Sequence, residues 1–178
     1  MSAHARDHLA SKDVQEYLSF ILSSEQYALD ITSVKEIRGY EKVTPIANAP
    51  KFIKGVLNLR GDIVPIVDLR IKFNIPDPTY NEFTIVIMLH VHNRVVGIVV
   101  DGVSDVVRLT EDEVRPPPDF GVIFDSRFLK GLATVDDHMV ILVNIEQLIS
   151  SDQVIFHPIS HDIGQVKVSQ KDIVYLFP

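Results

Sequence analysis

The chain of 178 residues contains no cysteine. Disulfides, thiolate nucleophiles and Cys-ligated zinc are therefore excluded, and nothing points to an oxidising compartment. It also lacks a long apolar run. The most extended ones, Ile85 to Leu89 and Val95 to Val100, fall far short of the roughly 20 residues that span a bilayer, so they read as core strands. The opening MSAHARDHLASK has no apolar stretch of the kind a secretory signal needs, and a cytoplasmic location is expected. No basic patch stands out. Seventeen basic against 24 acidic residues give a formal charge of -7, which repels phosphate backbones and anionic lipid. Neither a nucleic-acid partner nor insertion into a membrane is expected.

What is present is a set of short runs rich in Val, Ile, Phe and Tyr, separated by Gly, Asn, Asp and Pro. That is the pattern of a mainly β protein. Strands are expected at 17–22, 26–31, 55–59, 63–68, 84–90, 94–100, 131–135 and 138–144. Short helical segments are expected near 50–54, 126–130 and 144–149, and Thr110 to Glu113 has the spacing of a capping box.

The chain also repeats itself. FIKGVLNLRGDIVPIVDL (52–69) aligns without a gap on FLKGLATVDDHMVILVNI (128–145), placing Phe52 on Phe128, Gly55 on Gly131 and Asp68 on Asn144. Upstream, Val34, Glu36 and Ile37 fall on Val103, Asp105 and Val106. The register between the two alignments changes across the stretch holding Pro116, Pro117 and Pro118, where an insertion costs little closure entropy. With about five short strands in each half, unpaired edges are best managed by curling. Two small, interleaved pseudo-repeat β-barrels are expected, at about 17–73 and 84–145, within a domain covering 15–149; residues 1–14 and 150–178 stand outside it. In that last segment, the alternation at 165–169 and the apolar run 173–177 suggest an added edge strand, a docked extension or a partially ordered tail.

Catalytic groups are sparse. There is no Gly-rich phosphate loop and no Gly-x-Ser-x-Gly elbow. His90 and His92 share a strand face by spacing, and an acid such as Asp101 would be needed to make them a metal or catalytic site. Since Asn93 looks like a hairpin tip, an exposed turn is the better reading. No metal and no cofactor are expected. Arg60-Gly61-Asp62 matches an adhesion tripeptide, yet Gly-Asp between two strands is ordinary turn chemistry.

The run VKEIRGYEKVTPIANAPKFIKGVLNLRGDIVPIVDLRIKF (34–73), with RVVGIVVDGVSDVVRLTEDEVRPPPDF (94–120), resembles the two signatures of the CheW family of chemotaxis coupling proteins. The resemblance covers about residues 15–149. It implies two five-stranded, SH3-like β-barrels, no enzymatic activity, and an adaptor that joins chemoreceptor hairpin tips to the regulatory domain of the histidine kinase CheA, in the cytoplasm but recruited to membrane-associated receptor arrays. It further implies receptor contact at Val34, Glu36, Ile37, Arg60, Gly97 and Gly131, and kinase contact at Gly55 and Phe120. A salt bridge between Glu36 and Arg60 is expected. The second-half equivalents, Asp105 and Asp136, cannot form one. Were 34–37 a strand, Val34 and Ile37 would point to opposite faces, so at most one of them is surface-apolar, and Val34 is favoured.

Overall fold

In the computed structural model, which describes residues 13–119 and 126–150, the chain forms ten strands and two short α-helices. The strands are β1 (Val14–Leu22), β2 (Glu25–Asp30), β3 (Val34–Gly39), β4 (Ile53–Leu59), β5 (Asp62–Asp68), β6 (Ile85–Val91), β7 (Arg94–Val100), β8 (Gly102–Thr110), β9 (Leu129–Val135) and β10 (His138–Val143). Helix α1 (Leu69–Lys72) follows β5, and α2 (Ile145–Ser150) follows β10.

Three hairpins turn on two residues with positive φ: Arg60-Gly61, His92-Asn93 and Asp136-Asp137. Such turns match the right-handed twist of the flanking strands. Arg60-Gly61 is thus a turn, and His92 owes its position to backbone geometry. Strands β3 and β8 were not expected. Both are sheet edges and carry exposed charge, Lys35 and Glu36 in one and Asp105 and Arg108 in the other, which blunts the apolar signal and discourages stray edge pairing. The helix expected at 50–54 is a turn that enters β4 at Ile53. At the expected capping box, Thr110 N–H donates to Glu113 Oε2 at 2.7 Å and starts a 3-10 turn, Glu111–Glu113.

The strands form two five-stranded sheets, ordered β8-β1-β2-β10-β9 and β3-β6-β7-β5-β4. Neither sheet is a contiguous half of the chain. The first hairpin of each half crosses to the other sheet, where β2 runs parallel to β10 and β7 parallel to β5. The stretch 17–73 therefore feeds both sheets, and so does 84–145. The hydrogen-bonded ladders are open rather than fully closed barrels. In each, the chain beyond the edge strand returns to bridge the opposite edge by one pair of bonds, Thr44 with Val56 (3.0 and 2.9 Å) and Arg115 with Leu132 (both 2.8 Å).

The repeat is visible in these details. Gly55 and Gly131 sit under the two bridges; a Cβ at Gly55 would collide with the Thr44 carbonyl, and one at Gly131 would lie 2.6 Å from the Arg115 oxygen. Asp68 N–H donates to Phe52 O and Asn144 N–H to Phe128 O, each at 2.7 Å. A shared core ties the sheets together. Leu18, Phe20, Leu22 and Leu29 from one pack with Val67, Ile87, Leu89 and Ile98 from the other, and α2 adds Ile145 and Leu148. Each side chain buried this way contributes about 1.5–3 kcal/mol of transfer free energy.

Candidate binding surfaces

A groove of about 440 Å³ opens on the β3-β6-β7-β5-β4 sheet. Leu59, Val64, Met88 and Val95 give it apolar lining, while Lys35, Glu36, Arg38, Glu41, Arg60 and Asp62 add mixed charge. Glu36 and Arg60 are thus brought to one groove, but the expected salt bridge between them does not form. Arg38 lies two residues beyond Glu36 on the same strand and takes its carboxylate at 3.9 Å, while its Nη2 reaches Glu41 at 3.4 Å. Both pairs are solvent-reachable and worth about 0–1 kcal/mol. Arg60, at the hairpin turn, has no ion pair among the described residues.

The choice between Val34 and Ile37 comes out the other way. Val34 packs against the shared core, and Ile37 is 44% exposed. Their second-half equivalents behave alike, Val103 against the core and Val106 exposed. Gly97 is buried. A Cβ there would sit 2.5 Å from Ile66 Cδ1 and 3.1 Å from Met88 Sδ, so this glycine makes room for the residue that lines the groove. Gly131 belongs to the other sheet and does not line the groove. Gly55, expected as a kinase contact, is buried on β4 with the Thr44 carbonyl where a side chain would start, so it offers no surface of its own. Phe120 and the segment 151–178 lie outside the described residues.

His90, His92 and Asp101 do not make a site. The His92 ring contacts Ser150 Oγ at 3.0 Å, whereas Asp101 accepts from Arg70 Nη1 (2.8 Å) and Ser23 N–H (2.6 Å). Among the described residues no group of three His, Asp or Glu could hold a metal ion, and no helix is long and apolar enough to cross a membrane.

Sequence reasoning missed a buried polar network at the foot of β5. Asp68 is 0% and Arg70 1% exposed. The Asp68 carboxylate caps α1 through Arg70 N–H and takes the guanidinium at both oxygens, from Nε at 3.0 Å and Nη2 at 2.9 Å. Arg70 Nη1 also donates to Thr79 O at 2.7 Å, and Tyr80 O–H donates to Asp68 Oδ2. Burial alone would lower the Arg70 pKa, but hydrogen bonds to Asp68 and Asp101 outweigh it and hold the group further in its charged form. Burial, then the hydrogen bond to Asp68, pushes the Tyr80 phenol well above 10.

That last shift has a measurable sign. Above pH 10 an unfolded tyrosine releases its proton while folded Tyr80 keeps it, so the unfolded state binds fewer protons and stability falls as pH rises. Thermal melts between pH 9 and 11 should show a smaller alkaline loss in Tyr80→Phe than in the wild type; equal losses would contradict the role given to this hydroxyl.

Two open five-stranded sheets that exchange hairpins about one core, with a mixed-charge groove on one of them, define an internally duplicated, mainly β protein. The CheW-like domain matches residues 16–153. The chemotaxis protein CheW of Klebsiella aerogenes is 55% identical over 139 residues, covering 78% of this chain and 84% of that protein. Its namesake in Rhizobium meliloti is 32% identical over 152 residues, covering 84% and 96%. The crystal structure of the scaffolding protein TtCheW from Thermoanaerobacter tengcongensis superposes with a TM-score of 0.72 at 32% identity, covering 78% of this chain and 94% of that one. The chain belongs to the CheW family.

Proposed function

We propose that this protein is a non-catalytic adaptor that couples chemoreceptors to the histidine kinase CheA within membrane-associated arrays, and that it needs no cofactor. The observation that carries the reading is the groove. Apolar side chains lie beneath charges of both signs, and Ile37 is exposed on the same strand as Glu36. An amphipathic helix, such as one arm of a receptor hairpin tip, fits a surface of this kind by burying its apolar stripe while its flanks meet the charges. Glu36 and Arg60, which line the groove, are the contacting residues in this reading, with Gly97 acting through Met88, while Ile37, exposed on the other face of β3, makes its contact beside the groove rather than in it. Val34, Gly131 and the buried Gly55 itself serve the scaffold, and the kinase regulatory domain contacts the exposed surface beside Gly55, together with Phe120.

The experiment is charge reversal at an exposed position. Glu36→Arg should weaken binding to a receptor cytoplasmic fragment about tenfold or more, a hot-spot-sized loss, while the melting temperature stays within a few degrees because the Arg38 pair is exposed. Loss of receptor binding only in proportion to lost stability would assign Glu36 to folding instead.

A further inference from the structure

Among the described residues the chain passes from one sheet to the other twice, and the two crossings are built differently. The first, from β2 to β3, is the 3-10 turn Ile31–Ser33. The second, from β7 to β8, is the single residue Asp101. The repeat places Thr32 on Asp101. Thr32 is satisfied within its own turn, where its N–H and hydroxyl donate to Asp30 Oδ1 at 2.9 and 2.7 Å.

Asp101 bonds to both sheets instead. Its N–H donates to Ile21 O at 3.0 Å and its Oδ2 accepts from Ser23 N–H at 2.6 Å, both in the β1–β2 hairpin of one sheet. Its Oδ1 accepts from Arg70 Nη1 at 2.8 Å, on the helix that follows β5 of the other. Arg70 is a fixed anchor, because Asp68 and Thr79 O hold its guanidinium from other sides. The corresponding contact at the other exchanged hairpin is slighter. Ser23 and Arg70 correspond to His92 and Glu146, and there the His92 ring meets Ser150 Oγ at 3.0 Å with no ion pair among the described residues.

Burial of the shared core is non-directional, whereas charge-assisted hydrogen bonds fix direction. We infer that Asp101 is a positioning residue that locks the angle between the two sheets, tying the β1–β2 hairpin to Arg70 so that the groove is presented to a receptor in an orientation that also admits the kinase. This rests on the adaptor reading above, in which one small protein holds two partners at once. Simultaneous engagement is lost when geometry forbids it, even where each single contact survives.

The first readout of the test needs no partner. The chain has no cysteine, so Ile63→Cys and Met139→Cys, exposed repeat equivalents on β5 and β10 of the two sheets, carry a pair of spin labels. Pulsed EPR should give one narrow distance distribution when Asp101 is intact. Asp101→Ala should widen it about twofold as other orientations become populated. Asp101→Asn, which keeps the shape and one acceptor oxygen, should widen it less, and Thr32→Ala should leave it unchanged. In the second readout, without labels, Asp101→Ala should bind a receptor fragment within about twofold of the wild type yet recruit about tenfold less CheA to it, with Asp101→Asn changed in the same direction. If Asp101→Ala does not fold, Asp101→Asn at this partly exposed side chain decides both readouts. An unchanged distribution, or full kinase recruitment despite a widened one, overturns the assignment alone. A wild type that recruits no kinase overturns the adaptor reading and the coupling role with it, while the distance distribution still decides whether Asp101 locks the sheets.

Discussion

Arg70→Met is expected to cost about 3–5 kcal/mol of folding stability, the range for stranding one partner of a buried ion pair. Asp68 would remain in a fully buried position, having lost the two guanidinium bonds at 3.0 and 2.9 Å that balance its charge. Asp101 would lose a bond as well, but its side chain reaches solvent and can rehydrate. Asp68→Asn/Arg70→Met removes the unbalanced charge and should recover most of the loss, as the natural Asn144 corner indicates. Urea denaturation of the two variants decides the point. If the single variant were no less stable than the double, the network would not be the closed, desolvated system described here.

Gly55→Ala is the second large effect. At φ +144 the backbone occupies a region that an L side chain rarely adopts, and the added methyl would run into the Thr44 carbonyl that closes the sheet. Backbone strain of about 1–3 kcal/mol adds to overpacking of about 1–3 kcal/mol. Gly131→Ala should be milder, about 1–3 kcal/mol, since it lacks the positive φ: its methyl would press the Val114 side chain at 2.5 Å, which can turn away, and the Arg115 carbonyl at 2.6 Å, which must shift, but without added backbone strain. Melting both variants tests this ordering, and a Gly131→Ala loss equal to that of Gly55→Ala would contradict it. One consequence concerns function. A kinase-binding defect in a Gly55 variant can therefore arise from an opened sheet edge rather than from a lost contact.

The hairpins were readable because primed turns and Val-rich runs are local signals, and α2 was readable for the same reason. Helix α1 was missed although its cap, Asp68, is the repeat equivalent of Asn144. Strands β3 and β8 were missed because edge strands bear charge. The two halves are expected to interleave, but which hairpin crosses is not legible, since the repeat offset is the same whether a hairpin pairs with its own half or the other. At the groove, Glu36 and Arg60 were found by resemblance, but their pairing depends on where a β3 side chain lies relative to the 60–61 turn, and Arg38 intervenes. The preference for Val34 over Ile37 went against the core packing that Val34 shares with Val103. Arg70 was invisible for a related reason. An arginine in a short helix reads as surface charge until the β7–β8 turn brings Asp101 over it.

The central claim is simultaneous engagement of two partners by separate surfaces. Its most direct test is co-sedimentation of this protein with a chemoreceptor cytoplasmic fragment and CheA at low salt. The adaptor account predicts a ternary pellet in which kinase recovery depends on this protein, and in which Glu36→Arg removes the receptor link while leaving the kinase link. Failure to enter a complex with either partner would contradict it.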